Sequence, residues 1–125
     1  MDTSIESRTF IQTKVFERQW RDLGLNDEDL RRLEIEIMCH PESAPIMTGT
    51  GGLRKIRFAY EGRGKSGSTR VCYVDFVVYQ TVYLITAYPK NKKANLNKSE
   101  KNDVKKIITA IEKQLREKFR GGKNE

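Results

Sequence analysis

The sequence predicts an α+β fold in which two amino-terminal helices pack on a small antiparallel β-sheet and a carboxy-terminal helix closes the chain. Three observations predict it. Apolar residues recur with a helical period in the amino-terminal third and again near the carboxy end, and the stretch between them changes to a period of two. Glycine- and proline-containing turn clusters separate the periodic segments, with no internal repeat and no low-complexity linker. The chain has 125 residues, 37% of them hydrophobic, which suffices for one core, so residues 1–125 are expected to form a single domain.

Each element has its own signal. In residues 8–13, "RTFIQT", β-branched and aromatic residues alternate with polar ones, as in a short strand. The following "KVFERQWRDLGL" sets Phe16, Trp20 and Leu23 at helical spacing, and Gly24 stops the turn. Asn26 precedes the acids of "DED", which suit the positive end of a helix dipole, and Leu30, Leu33 and Ile37 continue that helix as one stripe until Pro41 forces the exit. Residues 41–52, "PESAPIMTGTGG", read as a connector.

In residues 53–60, "LRKIRFAY", Ile56, Phe58 and Tyr60 point to one side of a strand while Lys55 and Arg57 point to the other. Residues 69–88 are almost continuously β-branched or aromatic, too long for one strand, so a hairpin is expected to turn between residues 76 and 80. Asn97 with Glu100 gives a cap-like start to the last helix, whose stripe is Val104, Ile107, Ile108, Ile111, Leu115 and Phe119. The tail from about residue 120 is expected to be disordered.

Charge is unevenly distributed. The formal total is +7, but residues 1–45 carry a net −4 and residues 46–125 a net +11. Such asymmetry suits a polyanionic partner, most often nucleic acid, although a solvated lysine-rich surface has the same composition. No run approaches the about 20 apolar residues of a membrane helix, and residues 1–8 have no apolar signal-peptide core. A cytoplasmic protein without membrane contact is the expectation. Cys39 and Cys72 form no CxxC and no histidines cluster near them, so no metal site is expected and both are read as buried free thiols.

Residues 59–66, "AYEGRGKS", end like a nucleotide-binding P-loop. A P-loop needs a helix starting at its Lys-Ser, so that backbone amides and the helix dipole meet the phosphates. The next residues are "GSTRVCYVDFVVY", a strand, so no nucleotide cofactor is expected. His40 is the single histidine, which excludes a two-histidine ribonuclease; beside Pro41 it reads as a capping or surface residue. Asp27, Glu28 and Asp29 are consecutive and cannot converge on one ligand.

The remaining chemistry is cationic. Lys55 and Arg57 share a strand face, Arg70 opens the next strand of the same hairpin, and Lys90, Lys92 and Lys93 follow the last strand. Cations gathered around a phosphate can promote attack by a ribose 2′-hydroxyl, neutralise the phosphorane and protonate the leaving oxygen. The same residues can also bind phosphates without chemistry. Residue types alone leave both readings open.

The combination "GTGGLRKIRFA", a Gly/Lys-rich loop, "STRVCYV", "YLITAYPKNKKANLNKSE" and a closing helix resembles the HigB branch of the RelE-like bacterial toxins over residues from about 10 to 115. The resemblance implies a RelE-like fold and the toxin component of a type II toxin–antitoxin system. It implies a metal-independent endoribonuclease (mRNA interferase) that needs no cofactor, cleaves mRNA on translating ribosomes by 2′-hydroxyl attack and so inhibits translation. Its implied partners are mRNA, the ribosome with its rRNA, and a cognate HigA-like antitoxin. Carried over by position, Arg70 and Arg57 take the phosphate charge and Lys55 serves in proton transfer or stabilises the 2′-oxygen. RelE itself has Gly-Lys-Arg and then a catalytic tyrosine after its last strand. Here Lys90 stands in for a basic residue of that catalytic set, Asn91 replaces the arginine and no tyrosine comes later, which leaves Tyr88 for a stacking or acid–base role or for a structural one. Arg54, Arg63, Lys65, Lys92 and Lys93 are the expected RNA-binding residues. The alternative is a non-catalytic basic RNA- or ribosome-binding module.

Overall fold

The computed structural model of the protein describes residues 7–60, 67–90 and 96–123. In chain order the elements are β1 (Thr9–Gln12), α1 (Lys14–Asp22), α2 (Asp27–Cys39), β2 (Arg54–Tyr60), β3 (Gly67–Phe76), β4 (Thr81–Pro89) and α3 (Lys98–Lys123). This is the α+β class that the periodicity predicts.

The helices begin where the sequence offers acceptors for their unpaired amides. Thr13 caps α1, its Oγ1 accepting from Phe16 N at 3.0 Å, and the same hydroxyl donates to Ile85 O at 2.8 Å, which ties the start of the helix to β4. Gly24, at φ +80°, makes the turn out of α1. Asn26 and Asp29 then form a reciprocal capping box at 2.9 Å for each bond, and Trp20 Nε1 donates to Asn26 O at 3.1 Å, joining the two helices. Asn97 and Glu100 repeat the device at the start of α3.

The sheet order is β1-β4-β3-β2. β2/β3 and β3/β4 are antiparallel, but β1 pairs parallel with β4, so the sheet is mixed, a departure from the purely antiparallel expectation. Alternation identifies a strand without naming its neighbour. With two helices and a hairpin between β1 and β4, no short turn dictates their relative direction. The β3–β4 connection falls within residues 76–80 as predicted: a single 3₁₀ turn at Val77–Tyr79, then Gln80 in the left-handed region at φ 49°.

Two apolar layers sandwich the sheet. On one side Phe16 and Trp20 of α1 and Leu33 and Ile37 of α2 pack on Phe58, Val71, Tyr73, Val82 and Leu84. Phe16 and Trp20 stack at 5.3 Å between ring centroids, Trp20 meets Phe58 at 5.7 Å, and the Arg32 guanidinium covers the outer side of Phe58 at 5.4 Å. Burying each such side chain stabilises the fold by roughly 1.5–3 kcal/mol. On the other side α3 sets Ile108 and Leu115 against Leu53, Cys72, Val74 and Phe76.

A β-bulge interrupts this regularity. The register passes from Cys72 opposite Thr86 to Tyr73 opposite Leu84, leaving Ile85 as an extra residue in β4. The inside–outside alternation is therefore inverted beyond Thr86, whose hydroxyl still faces Gln19 of α1. Ala87 joins Val82 and Leu84 under α1, while Tyr88 joins Tyr83 and Ile85 on the α3 side.

The structure revises one expectation about the cysteines and extends one helix. Cys72 is buried, but Cys39 is exposed, because the last turn of α2 rotates it off the Leu33–Ile37 stripe. Helix α3 continues through Lys123, beyond Phe119 where the apolar stripe ends, and residues 124 and 125 lie outside the described residues.

Candidate active site

On β2 the alternation holds as read: Phe58 is buried under α2, while Arg57 is exposed on the opposite face with Lys55 half-buried beside it. The ladder sets Arg57 opposite Arg70 on β3, and Arg70 opposite Tyr88 on β4. Directly opposed side chains in such a ladder are about 5 Å apart at Cβ, so Arg57, Arg70 and Tyr88 form one row across three strands. In the adjacent row Lys55 stands opposite Cys72, while Thr86, the register partner of Cys72 at the bulge, turns its hydroxyl to Gln19 of α1 at 2.9 Å. The bulge in β4 is what brings Tyr88 into this row, since unbroken alternation would have put Ala87 there.

Two arginines placed directly opposite repel, and among the described residues neither Arg57 nor Arg70 has a carboxylate partner. Arg70 Nη1 is buried and unpartnered, as is Ser68 Oγ two positions earlier on the same strand. A desolvated guanidinium nitrogen without an acceptor is a strong attractor for an anionic oxygen.

Tyr88 and Cys72 modify each other. Burial, with Cys72 beside it, pushes the Tyr88 phenol up to about 12, with the Arg70 guanidinium pulling partly in the other direction. Burial pushes the Cys72 thiol up to about 11, and its hydrogen bond with Tyr88 and the charge of Lys55 offset part of that rise. At neutral pH both groups are protonated. Tyr88 thus keeps its proton directly opposite Arg70, and Cys72 is not a thiolate nucleophile. Thr69 Oγ1 donates to Tyr88 O at 2.7 Å, fixing the backbone of that tyrosine.

Not every basic residue expected at the site is part of this group. Lys90 comes directly after Pro89 at the end of β4, exposed and two positions beyond Tyr88. Arg54 lies elsewhere: its side chain leaves the opposite side of β2 from Lys55 and Arg57, and its Nη1 donates to Glu42 O at 3.0 Å and Ala44 O at 2.6 Å, which fastens the connector to the sheet. Arg63, Lys65, Lys92 and Lys93 lie outside the described residues, as does most of the P-loop-like stretch. That stretch leads directly into β3, a strand, so the helix a P-loop requires is absent there. Tyr73 is fully buried, its hydroxyl donating to Pro41 O at 3.0 Å, and His40 caps α2 at the surface. Cys72, read from the sequence only as a buried thiol, and Ser68, not singled out there, are the neighbours of the row that sequence reasoning did not assign to the site. Their one signal was spacing, since each is two residues from Arg70 and so shares its face.

A family model described as the RelE toxin of the RelE/RelB toxin–antitoxin system matches residues 7–123. Among solved structures, the free state of an E. coli RelE toxin carrying two arginine-to-alanine substitutions is 18% identical, covering 68% of this chain and 85% of its own at a TM-score of 0.49. The family match spans nearly the whole chain, including both helical layers and all four strands, and the protein belongs to the RelE toxin family.

Proposed function

We propose that this protein, of the HigB branch of the family, is an endoribonuclease that cuts mRNA on translating ribosomes and is held inactive by a HigA-like antitoxin. The observation that carries this reading is the Arg57–Arg70–Tyr88 row, with Lys55 in the row beside it and a buried Arg70 nitrogen lacking a partner.

The chemistry comes from the groups themselves. A ribose 2′-hydroxyl attacks the adjacent phosphorus, the bond from phosphorus to the 5′-oxygen breaks, and a 2′,3′-cyclic phosphate and a 5′-hydroxyl result. Arg70 and Arg57 neutralise charge on the phosphorane oxygens, the electrostatic term that typically dominates such catalysis. The Lys55 ammonium stabilises the 2′-oxygen as its proton departs to solvent. Tyr88, protonated to about pH 12, donates to the leaving 5′-oxygen, a far stronger base than phenolate. Side-chain cations here fill the role a metal ion plays in other nucleases, so cleavage is expected to persist in EDTA. Lys90, with Arg63, Lys65, Lys92 and Lys93 in the flanking segments, supplies contacts to ribosomal or messenger RNA, and a cytoplasmic location accords with those partners. Among the described residues no helix is long and apolar enough to cross a membrane.

Brief induction of the protein and then 5′-end mapping of cellular mRNA tests the reading. New ends within open reading frames are expected, together with arrested translation. Ribosome binding that falls steeply with salt, with no new ends, would favour the non-catalytic module instead.

A further inference from the structure

Among the described residues, the buried side-chain nitrogen and oxygen atoms without a hydrogen-bond partner are Ser68 Oγ and Arg70 Nη1. They belong to one place. Ser68 and Arg70 are two positions apart on β3, so their side chains leave the same face about 7 Å apart along the strand. Arg70 faces Arg57 across the ladder, and Ser68 faces Ala59, whose methyl group offers nothing to bond.

Buried threonine hydroxyls among the described residues behave differently. Thr50 Oγ1 donates to Met47 O at 2.6 Å, Thr69 Oγ1 to Tyr88 O at 2.7 Å and Thr81 Oγ1 to Tyr79 O at 2.9 Å. Each finds a backbone carbonyl. Ser68, only 8% exposed, finds none, and leaving a buried hydroxyl unsatisfied costs about 1–3 kcal/mol. Its position beside an equally unpartnered guanidinium nitrogen gives both groups the same complement, a row of anionic oxygens. Successive phosphates of an extended single strand are separated by a distance of the order that divides these two side chains.

We infer that Ser68 is a further substrate-binding residue, whose hydroxyl donates to the RNA backbone phosphate next to the one gripped by Arg70. The inference rests on the ribonuclease reading of the site. A serine hydroxyl adds no charge, so it holds the second phosphate without the repulsion that a third arginine would bring to the row.

The test is Ser68→Ala in the full-length protein, read by thermal melting without RNA and by affinity for a short single-stranded RNA made uncleavable by 2′-deoxy substitution. Melting at or above the wild-type temperature, with affinity weakened roughly tenfold, is expected. A lower melting temperature would mean that the hydroxyl has a partner within the folded chain, and unchanged affinity would mean that it does not touch RNA; either result overturns the inference. Arg70→Ala separates the levels. If Arg70→Ala loses RNA affinity while Ser68→Ala keeps it, only the role of Ser68 falls; if Arg70→Ala also binds as wild type, the RNA reading itself falls.

Discussion

Arg8, one residue before β1, and Arg70, within β3, each have guanidinium nitrogen shielded from water, and their surroundings are opposite. The Arg8 side chain is 2% exposed and grips Asp75 through two bonds, Nε to Oδ1 at 2.8 Å and Nη2 to Oδ2 at 3.3 Å. Arg70 faces another arginine, and its Nη1 has no acceptor. A charge taken from water is expensive unless it is paired, so the arginine left short is the one that the proposed function assigns to the substrate phosphate. The Arg8–Asp75 pair joins the approach to β1 with the end of β3 and stabilises the fold, whereas the Arg57–Arg70 row leaves its repulsion unrelieved within the described residues.

The sharpest way to break this contrast is to remove the partner that makes Arg8 structural. Asp75→Ala removes the bidentate carboxylate from a buried guanidinium, and a loss of about 3–5 kcal/mol in unfolding free energy is expected from urea or thermal titration. A loss below about 1 kcal/mol, the range of exposed pairs, would show that the two arginines are not so different. Arg70→Ala is expected to behave in the reverse way. Cleavage on programmed ribosomes should fall by about 10²–10³-fold, as when one preorganised donor to a developing oxyanion is removed. The melting temperature should be unchanged or slightly higher, because a like-charge contact with Arg57 disappears. Retained cleavage would remove Arg70 from the mechanism.

Tyr88→Phe probes the row at its neutral end. The ring keeps its packing and loses only the donor, so cleavage is expected to drop about 10²-fold with little change in RNA affinity. The same substitution has a signature in stability at alkaline pH. Tyr88 is pushed from its ordinary 10.0 to about 12, so between those values the unfolded chain loses a proton that the folded chain keeps, and stability falls as pH rises through that window. Tyr73 contributes over the same interval and Cys72 between 9.0 and about 11. Melting measured from pH 8 to 12 should therefore decline steeply in wild type and less steeply in Tyr88→Phe. An identical slope would mean that Tyr88 is not buried beside Cys72 as described.

The contrast between satisfied and unsatisfied arginines was only partly legible in the sequence. Local signals were: the Asn97–Glu100 cap, the hairpin turn within residues 76–80, and the shared face of Lys55 and Arg57 each depend on residues a few positions apart. What depends on distant partners was not. Nothing in "RTFIQT" states that β1 will lie parallel beside β4. The inversion after Thr86, which sends Tyr88 rather than Ala87 to the basic face, comes from a bulge that leaves no compositional mark in a run of β-branched and aromatic residues. Ser68 and Thr69 are chemically alike in the sequence, yet one hydroxyl finds the Tyr88 carbonyl and the other finds nothing. Arg54 and Arg57 are equally basic, and only the fold shows which of them already has acceptors.

That last pair supplies the smallest effect and the finest comparison. Arg54 is adjacent to Lys55 in the chain, so composition alone would assign it to the RNA surface. Its guanidinium instead donates to Glu42 O and Ala44 O, two carbonyls of the connector that meets β2 through the Ile46–Arg54 bridge. Arg54→Ala is accordingly expected to cost about 1 kcal/mol, since the carbonyl partners are partly solvated and water can replace the lost donor. For a domain of this size that is a fall of roughly 3–5 °C in melting temperature. Cleavage should stay within about twofold of wild type, the range of a substitution away from the reacting groups. A large loss of cleavage with unchanged melting would place Arg54 with Arg57 after all, and would mean that a guanidinium can hold the fold's carbonyls and the substrate in turn.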